Sequence, residues 1–411
     1  MEIIQHNTNE FALAQEIIYK FEKIFQVYFN SFEVASYTSI LVSYLMKLDY
    51  KTITNEDLTQ LVGKKCINLV DSILKVVSDY YFVQIKESDF YIKFVIHIYN
   101  LLYRTQTQLI SNNPITGTIK RNNPLLFDCG VKIADVIHSA TGCQINEDEI
   151  AYIAIHIGAA LDSKENLSKK IQTILIFPQY YNFHLMLEER IHHDFEKDIN
   201  IINVLTSAAE LTEQPKKYNL IISAIPVNSI KNDYVVEINS FYTPKDCQKI
   251  RKMIDRIRKD QKRSVLLEQL VSISSPDLFI KNGFMHDKDS VLHYINNVMV
   301  EKGFSDNDYL DDVYKREEAS STNFGNIAVP HGISLNCQKT GLFIYISERG
   351  IQWDDSIVNI VIFISINQTD TEIFRNVYDN LIVLLLDNKV VTDVVKCKDY
   401  YDFIDIIIQS F

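Results

Sequence analysis

The sequence predicts a multidomain chain of mixed class, in which an all-helical bundle precedes a small parallel-sheet α/β domain and then a second α/β domain. Three observations carry this. Apolar residues recur at helical spacing from Glu10 to Asp162, most regularly in Phe90–Arg104 and Asp148–Leu161. From Ile171 the pattern changes to β-rich apolar runs alternating with helical ones, as in a small parallel sheet covered on both faces. Near the C-terminus a strand-like Ile327–Val329 is closed by Pro330, which fixes the backbone just before His331.

Bulk properties narrow the function. At 411 residues, 47% hydrophobic and 23% charged, the chain is ordinary globular material for two to four domains. A net charge of -12 argues against a nucleic-acid-binding surface, which needs a basic face. The six cysteines form no CxxC pair, so neither a disulfide framework, a metal site nor a bound cofactor is expected. The N-terminus has no basic segment followed by an apolar core, and no apolar run reaches about 18 residues, so neither a signal peptide nor a membrane span is expected. Reduced thiols and these absences together imply a cytoplasmic protein.

Taken in order, residues 9–47 read as helices over Glu10–Phe25 and Phe32–Leu48, joined by a turn at Tyr28–Ser31. Two more helical patterns follow, at Asn55–Cys66 and Ile67–Val83. Phe90–Arg104 (FYIKFVIHIYNLLYR) is an apolar helix with one histidine, His97, and Arg104 two turns later on the same face. Asp148–Leu161 (DEIAYIAIHIGAAL) likewise carries His156, with Glu149 two turns earlier on its face. A lone histidine in an apolar helix is most often a satisfied core imidazole. Two such helices, one offering an arginine fork and the other a carboxylate, suit a phosphate-handling site better.

The order His97, Arg104, the Asn-Pro segment at Asn112–Ile115, then Glu149 and His156 resembles the PTS regulation domain (PRD). This is an all-helical module of bacterial sugar-operon regulators in the BglG-related superfamily, controlled by the sugar phosphotransferase system (PTS). The resemblance, over residues 53–162, implies that His97 and His156 are phospho-acceptors. It further implies that Arg104, Asn113 and Glu149 support the phosphate. Phe32–Leu48 echoes Asp148–Leu161 with Ile40 in the place of His156, so residues 1–50 resemble the closing half of a degenerate second PRD. Half a module cannot bury its own faces. Either it docks elsewhere or the sequence is part of a longer protein, and the latter is the expectation. No basic recognition helix is found, so DNA would be reached only through an upstream domain.

Ser163–Lys170 reads as a linker. The runs Ile171–Phe177, Ile199–Leu205, Asn219–Ile225 and Tyr234–Ile238, with helices at Tyr181–Glu196 and Pro244–Lys259, resemble a PTS enzyme IIB domain over 168–259. That family closes its first strand with a phosphoryl-accepting cysteine; here Phe177 stands there, so the resemblance implies a fold without the chemistry. His192 and His193 read as a solvated helix end.

After a second expected linker, Asp260–Ser264, residues 265–411 open with helical patterns at Asp287–Lys302 and Asn307–Ala319. The run YKREEASSTNFGNIAVPHG (Tyr314–Gly332) resembles the active-site motif of a fructose/mannitol-type enzyme IIA domain. The resemblance implies His331 as phospho-acceptor at an open strand end, supported by Arg316 and Thr322. The family's second histidine is replaced by Phe374, which weakens onward transfer. His6, His138, His184, His286 and His293 have no supporting constellation.

Together these resemblances imply a regulator, most simply a transcriptional activator, of a carbohydrate operon rather than an enzyme. Its phosphoryl donors would be HPr or sugar-specific enzyme II components, and its output a change in a homodimer. The alternative is a fused IIB–IIA phosphocarrier of a sugar transporter, which Phe177 and Phe374 disfavour. A module that only docks partners is the other, disfavoured by the histidine pairings.

Overall fold

The structure, a computed structural model, describes residues 8–30, 33–34, 55–81, 88–107, 112–165, 170–177, 183–213, 218–227 and 234–411. The expected helix Phe32–Leu48 apart from residues 33–34, with Ile40, the N-terminal His6 and the loop after Phe177 at 178–182 lie outside these. The chain divides into two compact units, one of Met1–Leu161 with Pro276–Lys396, the other of Asp162–Ser275 with Cys397–Phe411.

In the first unit the N-terminal part is helical: α1 (Thr8–Phe25), α2 (Asn55–Val62), α3 (Lys64–Tyr81), α4 (Ser88–Gln106), α5 (Thr116–Asn122), α6 (Pro124–Thr141) and α7 (Glu147–Glu165). The break between α2 and α3 falls at Gly63 (φ 81°), not after Cys66 as periodicity suggested, because only glycine takes that backbone cheaply. α6 is bounded by Pro124 in its first turn and by Gly142 (φ 74°) after its last. α7 opens with three acidic residues, which its N-terminal dipole favours, and the Asn146 side chain accepts the Glu149 N–H at 2.9 Å. It continues through Glu165 into the expected linker. Ile73, Phe94, Ile98, Ile133 and Ile153 are fully buried in the shared core of α3, α4, α6 and α7.

The remainder of this unit is α/β: β5 (Phe279–Lys281), α10 (Lys288–Glu301), α11 (Tyr309–Ala319), β6 (Ile327–Ala328), β7 (Asn336–Trp353), β8 (Ser356–Asn367), α12 (Thr371–Leu385) and α13 (Asn388–Val395). The sheet order is β5-β7-β8-β6, with β7 and β8 antiparallel and the outer strands parallel to their neighbours. Val358, Ile360, Val361, Ile362 and Phe363 of β8 are buried on both faces, as a central strand demands. α12 packs on α6 and α3, and α11 packs on α6.

The second unit holds β1 (Ile171–Ile176), α8 (Phe183–Phe195), β2 (Ile199–Leu205), β3 (Leu220–Ser223), β4 (Val235–Glu237), α9 (Pro244–Ile273) and α14 (Tyr400–Ser410). Its four strands are all parallel, in the order β2-β1-β3-β4. The expected linker Asp260–Ser264 is instead the middle of α9. The stretch DQKRS contains neither glycine nor proline, and its polarity is that of a solvated helix face. The helix begins where the Thr243 N–H donates to Asp246 at 2.9 Å. α14 packs on α9, and the Ser274 and Tyr400 hydroxyls are hydrogen-bonded at 2.8 Å.

Gly130 of α6 sets how closely α7 approaches: a Cβ there would lie 2.8 Å from the Ile150 carbonyl oxygen. Gly130→Ala is expected to cost about 1–3 kcal/mol in urea unfolding. Gly117→Ala, whose Cβ would meet nothing within 4 Å, should be neutral or gain up to ~1 kcal/mol. Equal midpoints for the two variants would refute the close-crossing account.

Candidate functional site

Two histidine centres lie in the first unit. At the first, α4 and α7 bring His97 and His156 to a ring-centroid distance of 4.3 Å with 37° between planes. Phe94 flanks both, 6.5 Å from His97 and 6.3 Å from His156. The His97 Nε2 is buried and makes no hydrogen bond among the described residues. Burial, then His156 and Arg104, push the His97 pKa well below its ordinary value. Burial, then Lys93, lower that of His156. Both rings are therefore neutral at pH 7, and each keeps one nitrogen lone pair, the form that attacks phosphorus.

Face-sharing in the sequence pairs Arg104 with His97 and Glu149 with His156. The structure instead pairs the two charges with each other. Arg104 Nε donates to Glu149 Oε1 at 2.7 Å and Nη2 to Oε2 at 2.8 Å, a buried bidentate fork between α4 and α7. The reason is distance: seven residues along one helix are about 10.5 Å of rise, whereas the facing helix offers a carboxylate within hydrogen-bond range. Asn113 is buried beside the start of α5; its Oδ1 accepts the Ile115 N–H at 3.2 Å, and its Nδ2 has no partner among the described residues.

At the second centre His331 follows β6 and is held as a one-residue parallel bridge to Ile364. Tyr309 Oη accepts the Gly332 N–H at 2.8 Å and donates to the Ile364 carbonyl at 2.5 Å, which fixes the backbone around the histidine. His331 is not at an open strand end as expected: it is 1% exposed. Its Nδ1 lies 2.8 Å from the Val329 carbonyl, and its Nε2 lies 2.9 Å from Asp128 Oδ1 of α6. Both partners are acceptors, so each nitrogen satisfies its contact by donating an N–H. Arg316 Nε donates to the same Asp128 oxygen at 2.8 Å, and Nη1 to the Ser320 carbonyl at 2.6 Å. Burial raises the Asp128 pKa, but His331 and Arg316 outweigh it and hold the carboxyl well below the usual range. Phe374 and Tyr378 of α12 close the ring's other side, at 5.7 and 5.1 Å between centroids.

Arg316 thus reaches His331 through Asp128. Thr322 is buried but faces elsewhere: its hydroxyl and N–H both donate to Glu317, which also binds Lys288 Nζ at 2.9 Å and Trp353 Nε1 at 3.2 Å. A glutamate anchored on three sides claims the threonine before an imidazole can. Phe177 is 1% exposed in the core of the second unit. His138 is exposed, with Nδ1 3.2 Å from the Cys143 carbonyl, and His193 lies beside Asp194 at 3.3 Å. Sequence reasoning missed Asp128. Its only local signal is an acid inside the apolar PLLFDCGVKIADVIH of α6, and its partners lie some 200 residues away. Among the described residues no group of His, Cys, Asp and Glu is placed to hold a metal ion, and no helix is long and apolar enough to cross a membrane.

Known proteins fit this layout. The family profile of the PRD domain matches residues 71–160, and that of the phosphoenolpyruvate-dependent sugar phosphotransferase system, EIIA 2, matches residues 273–410. The chain therefore carries a PRD domain followed by a type 2 EIIA domain. The probable licABCH operon regulator of Bacillus subtilis (strain 168) is 24% identical over 100% of this chain and 62% of that protein. The transcriptional regulator ManR of the same organism is 22% identical over 90% of this chain and 57% of its own length. The chain thus spans roughly three-fifths of the curated relatives it matches. The crystal structure of IIA mannitol from Escherichia coli matches with TM-score 0.29 at 20% identity, covering 32% of this chain and 97% of that one.

Removing one side of the buried fork leaves an uncompensated charge. Arg104→Ala should cost about 3–5 kcal/mol in urea unfolding, and adding Glu149→Gln should restore part of it. An Arg104→Ala variant within 1 kcal/mol of the wild type would refute the fork's role. The two depressed histidines set a pH dependence of known sign. Above about pH 6.5 neither folded nor unfolded chain protonates them; below it the unfolded chain does and the folded chain resists. Stability is therefore fully present above pH 6.5 and declines on acidification, by up to ~1.4 kcal/mol per pH unit per histidine. His97→Asn should flatten that slope between pH 7.5 and 5.5 in thermal melts. An unchanged slope would contradict it. Asp128 acts in a separate window, losing its contribution only below the usual carboxylate range.

Proposed function

We propose that this chain is the phosphorylation-sensing portion of a bacterial transcriptional regulator of carbohydrate use, acting through phosphohistidine rather than through catalysis. In this reading residues 53–162 are the PRD and 1–50 the closing half of a degenerate copy. Residues 168–259 are a IIB-like domain without its cysteine, and 265–411 the type 2 EIIA domain, its first helical turns being the end of α9. His97, His156 and His331 are the phospho-acceptors, with Arg104, Asn113, Glu149 and Arg316 in support. Thr322 keeps a supporting role only through Glu317 and through its carbonyl, which accepts the Val329 N–H at 3.1 Å.

The observation that carries the proposal is the 4.3 Å approach of two neutral imidazoles, His97 and His156, beside a closed Arg104–Glu149 fork. A phosphoryl group on either ring adds nearly two negative charges to a half-buried apolar seam. The cation acting on His97 is Arg104, already bound by Glu149, and the cation acting on His156 is Lys93. The phosphate competes with Glu149 for the guanidinium, and an opened fork frees α4 from α7. That is a bistable element of the kind that switches interfaces. A bias of ~1–3 kcal/mol would change a dimer population five- to 150-fold. The donors are PTS components, HPr or a sugar-specific enzyme II, and the setting is the cytoplasm. A DNA-binding region would lie elsewhere in a longer chain.

The relatives' names favour regulation over transport. Phe177 in the core and Phe374 against His331 leave a phosphoryl relay without its usual partners.

Incubation with phosphoenolpyruvate, enzyme I and HPr, followed by peptide mapping that preserves phosphohistidine, tests the proposal. Label is expected on His97 or His156, lost in the His97→Ala or His156→Ala variant, with a change in light-scattering mass on labelling. Absence of label at both positions refutes it.

A further inference from the structure

We propose that the PRD holds the EIIA phospho-acceptor in a capped state. Asp128 of α6 occupies the position a phosphoryl group on His331 would take, so docking of α6 and phosphorylation of His331 exclude each other. The inference rests on the reading of His331 as a phospho-acceptor.

The geometry is specific. His331 Nδ1 is committed to its own strand through the Val329 carbonyl at 2.8 Å, so Nε2 is the nitrogen left to act as nucleophile. Nε2 is the one that faces Asp128, at 2.9 Å. The same carboxylate oxygen takes the Arg316 Nε–H at 2.8 Å. An anionic oxygen bracketed by the acceptor nitrogen and a buried guanidinium makes the contacts an oxygen of a bound phosphoryl group would make. The space left beside the ring is a cavity of ≈ 10 Å³, room for about one water and not for a donor's phosphate. The capping anion lies 203 residues from His331 in sequence, on a helix of the other domain. The contact has a built edge. Lys120 Nζ donates to Ser320 Oγ at 2.8 Å and to Glu147 Oε1 at 3.0 Å, and Ser320 also bonds Glu147. Phe127 and Ile119 pack against Ala319 and Ile333 beneath it.

Phosphorylation therefore requires α6 to leave. Nε2 then releases its proton to water, and its lone pair attacks the phosphorus of a carrier protein's phosphohistidine. The new N–P bond forms as the donor's P–N bond breaks. The broken bond's electron pair stays on the donor nitrogen, whose ring leaves neutral if its other nitrogen carries a proton. The His331 Nδ1–H stays on the Val329 carbonyl. The phosphoryl group now holds Arg316, fills the volume Asp128 held and repels its carboxylate, so α6 cannot return. Linkage makes the effect reciprocal: whatever loosens α6 from the PRD side raises the reactivity of His331.

Two probes on the full chain separate this from the reading beneath it. Diethyl pyrocarbonate acylates an imidazole only through a free lone pair. Mapped acylation of His331 should be slow in the wild type and about ten- to hundredfold faster in Asp128→Ala, the factor for losing a charge-assisted hydrogen bond. Lys120→Met, which leaves Asp128 in place and cuts the edge, should move it in the same direction. Exposed His138 calibrates the reagent, and an unchanged far-UV circular dichroism spectrum reports that the helical core is intact. An unchanged His331 rate in both variants, with that spectrum retained, overturns the cap. Phosphoryl label from phosphoenolpyruvate, enzyme I and HPr should rise at His331 in the same variants. Faster acylation without any label at His331 overturns the acceptor reading, and the exclusion with it, while leaving a steric cap.

Discussion

The Asp128 carboxylate is the point on which the first unit turns. It is almost fully buried, and burying an isolated carboxylate is costly enough that it is tolerated only when compensated. The compensation comes from Arg316 and His331, both from the other domain. Each is itself 1% exposed, so the contact is out of water on both sides. The three groups are therefore interdependent: separating the domains would break both of the bonds that Asp128 makes to the α/β domain.

The Arg104–Glu149 fork repeats the same logic within the helical domain. There too the charges sit on different elements and close on each other rather than on the histidines beside them. Both centres thus set an imidazole near a guanidinium group already bound by a carboxylate. Under the proposed function, a phosphoryl group at either centre would compete with that carboxylate, and the contact at stake joins two structural elements.

Much of this was legible in the sequence, and the boundary of legibility has a physical meaning. Periodicity located α4, α7 and β1–β4, because side-chain repeat follows directly from backbone geometry. His97 and His156 were visible because an imidazole in an apolar helix is unusual, and His331 because it follows a strand-ending proline in a recognisable motif. What was not visible was who binds whom. Arg104 shares a face with His97 and bonds Glu149; Thr322 lies eight residues before the strand-end proline and bonds Glu317. Pairing is a property of three-dimensional proximity, and helical phase gives direction without distance. Asp128 was missed for the same reason. Asp260–Ser264 failed differently: a charged run without glycine or proline suits a solvated helix as well as a linker, and the core of the second unit decided for the helix.

The first unit is discontinuous: residues 162–275 separate the helical domain from the α/β domain it packs against. The docking of α6 on the IIA fold is therefore an intramolecular association, governed by an effective concentration set by the intervening segment. The intervening segment is itself a folded α/β unit, and the two surfaces, being on one chain, meet without the cost of bringing two molecules together. The surfaces meet through the shared carboxylate, the polar edge of Lys120, Glu147 and Ser320, and the apolar packing of Ile119 and Phe127 against Ala319 and Ile333. Under the proposed capped state, one phosphoryl group on His331 would compete with a contact held within a single chain.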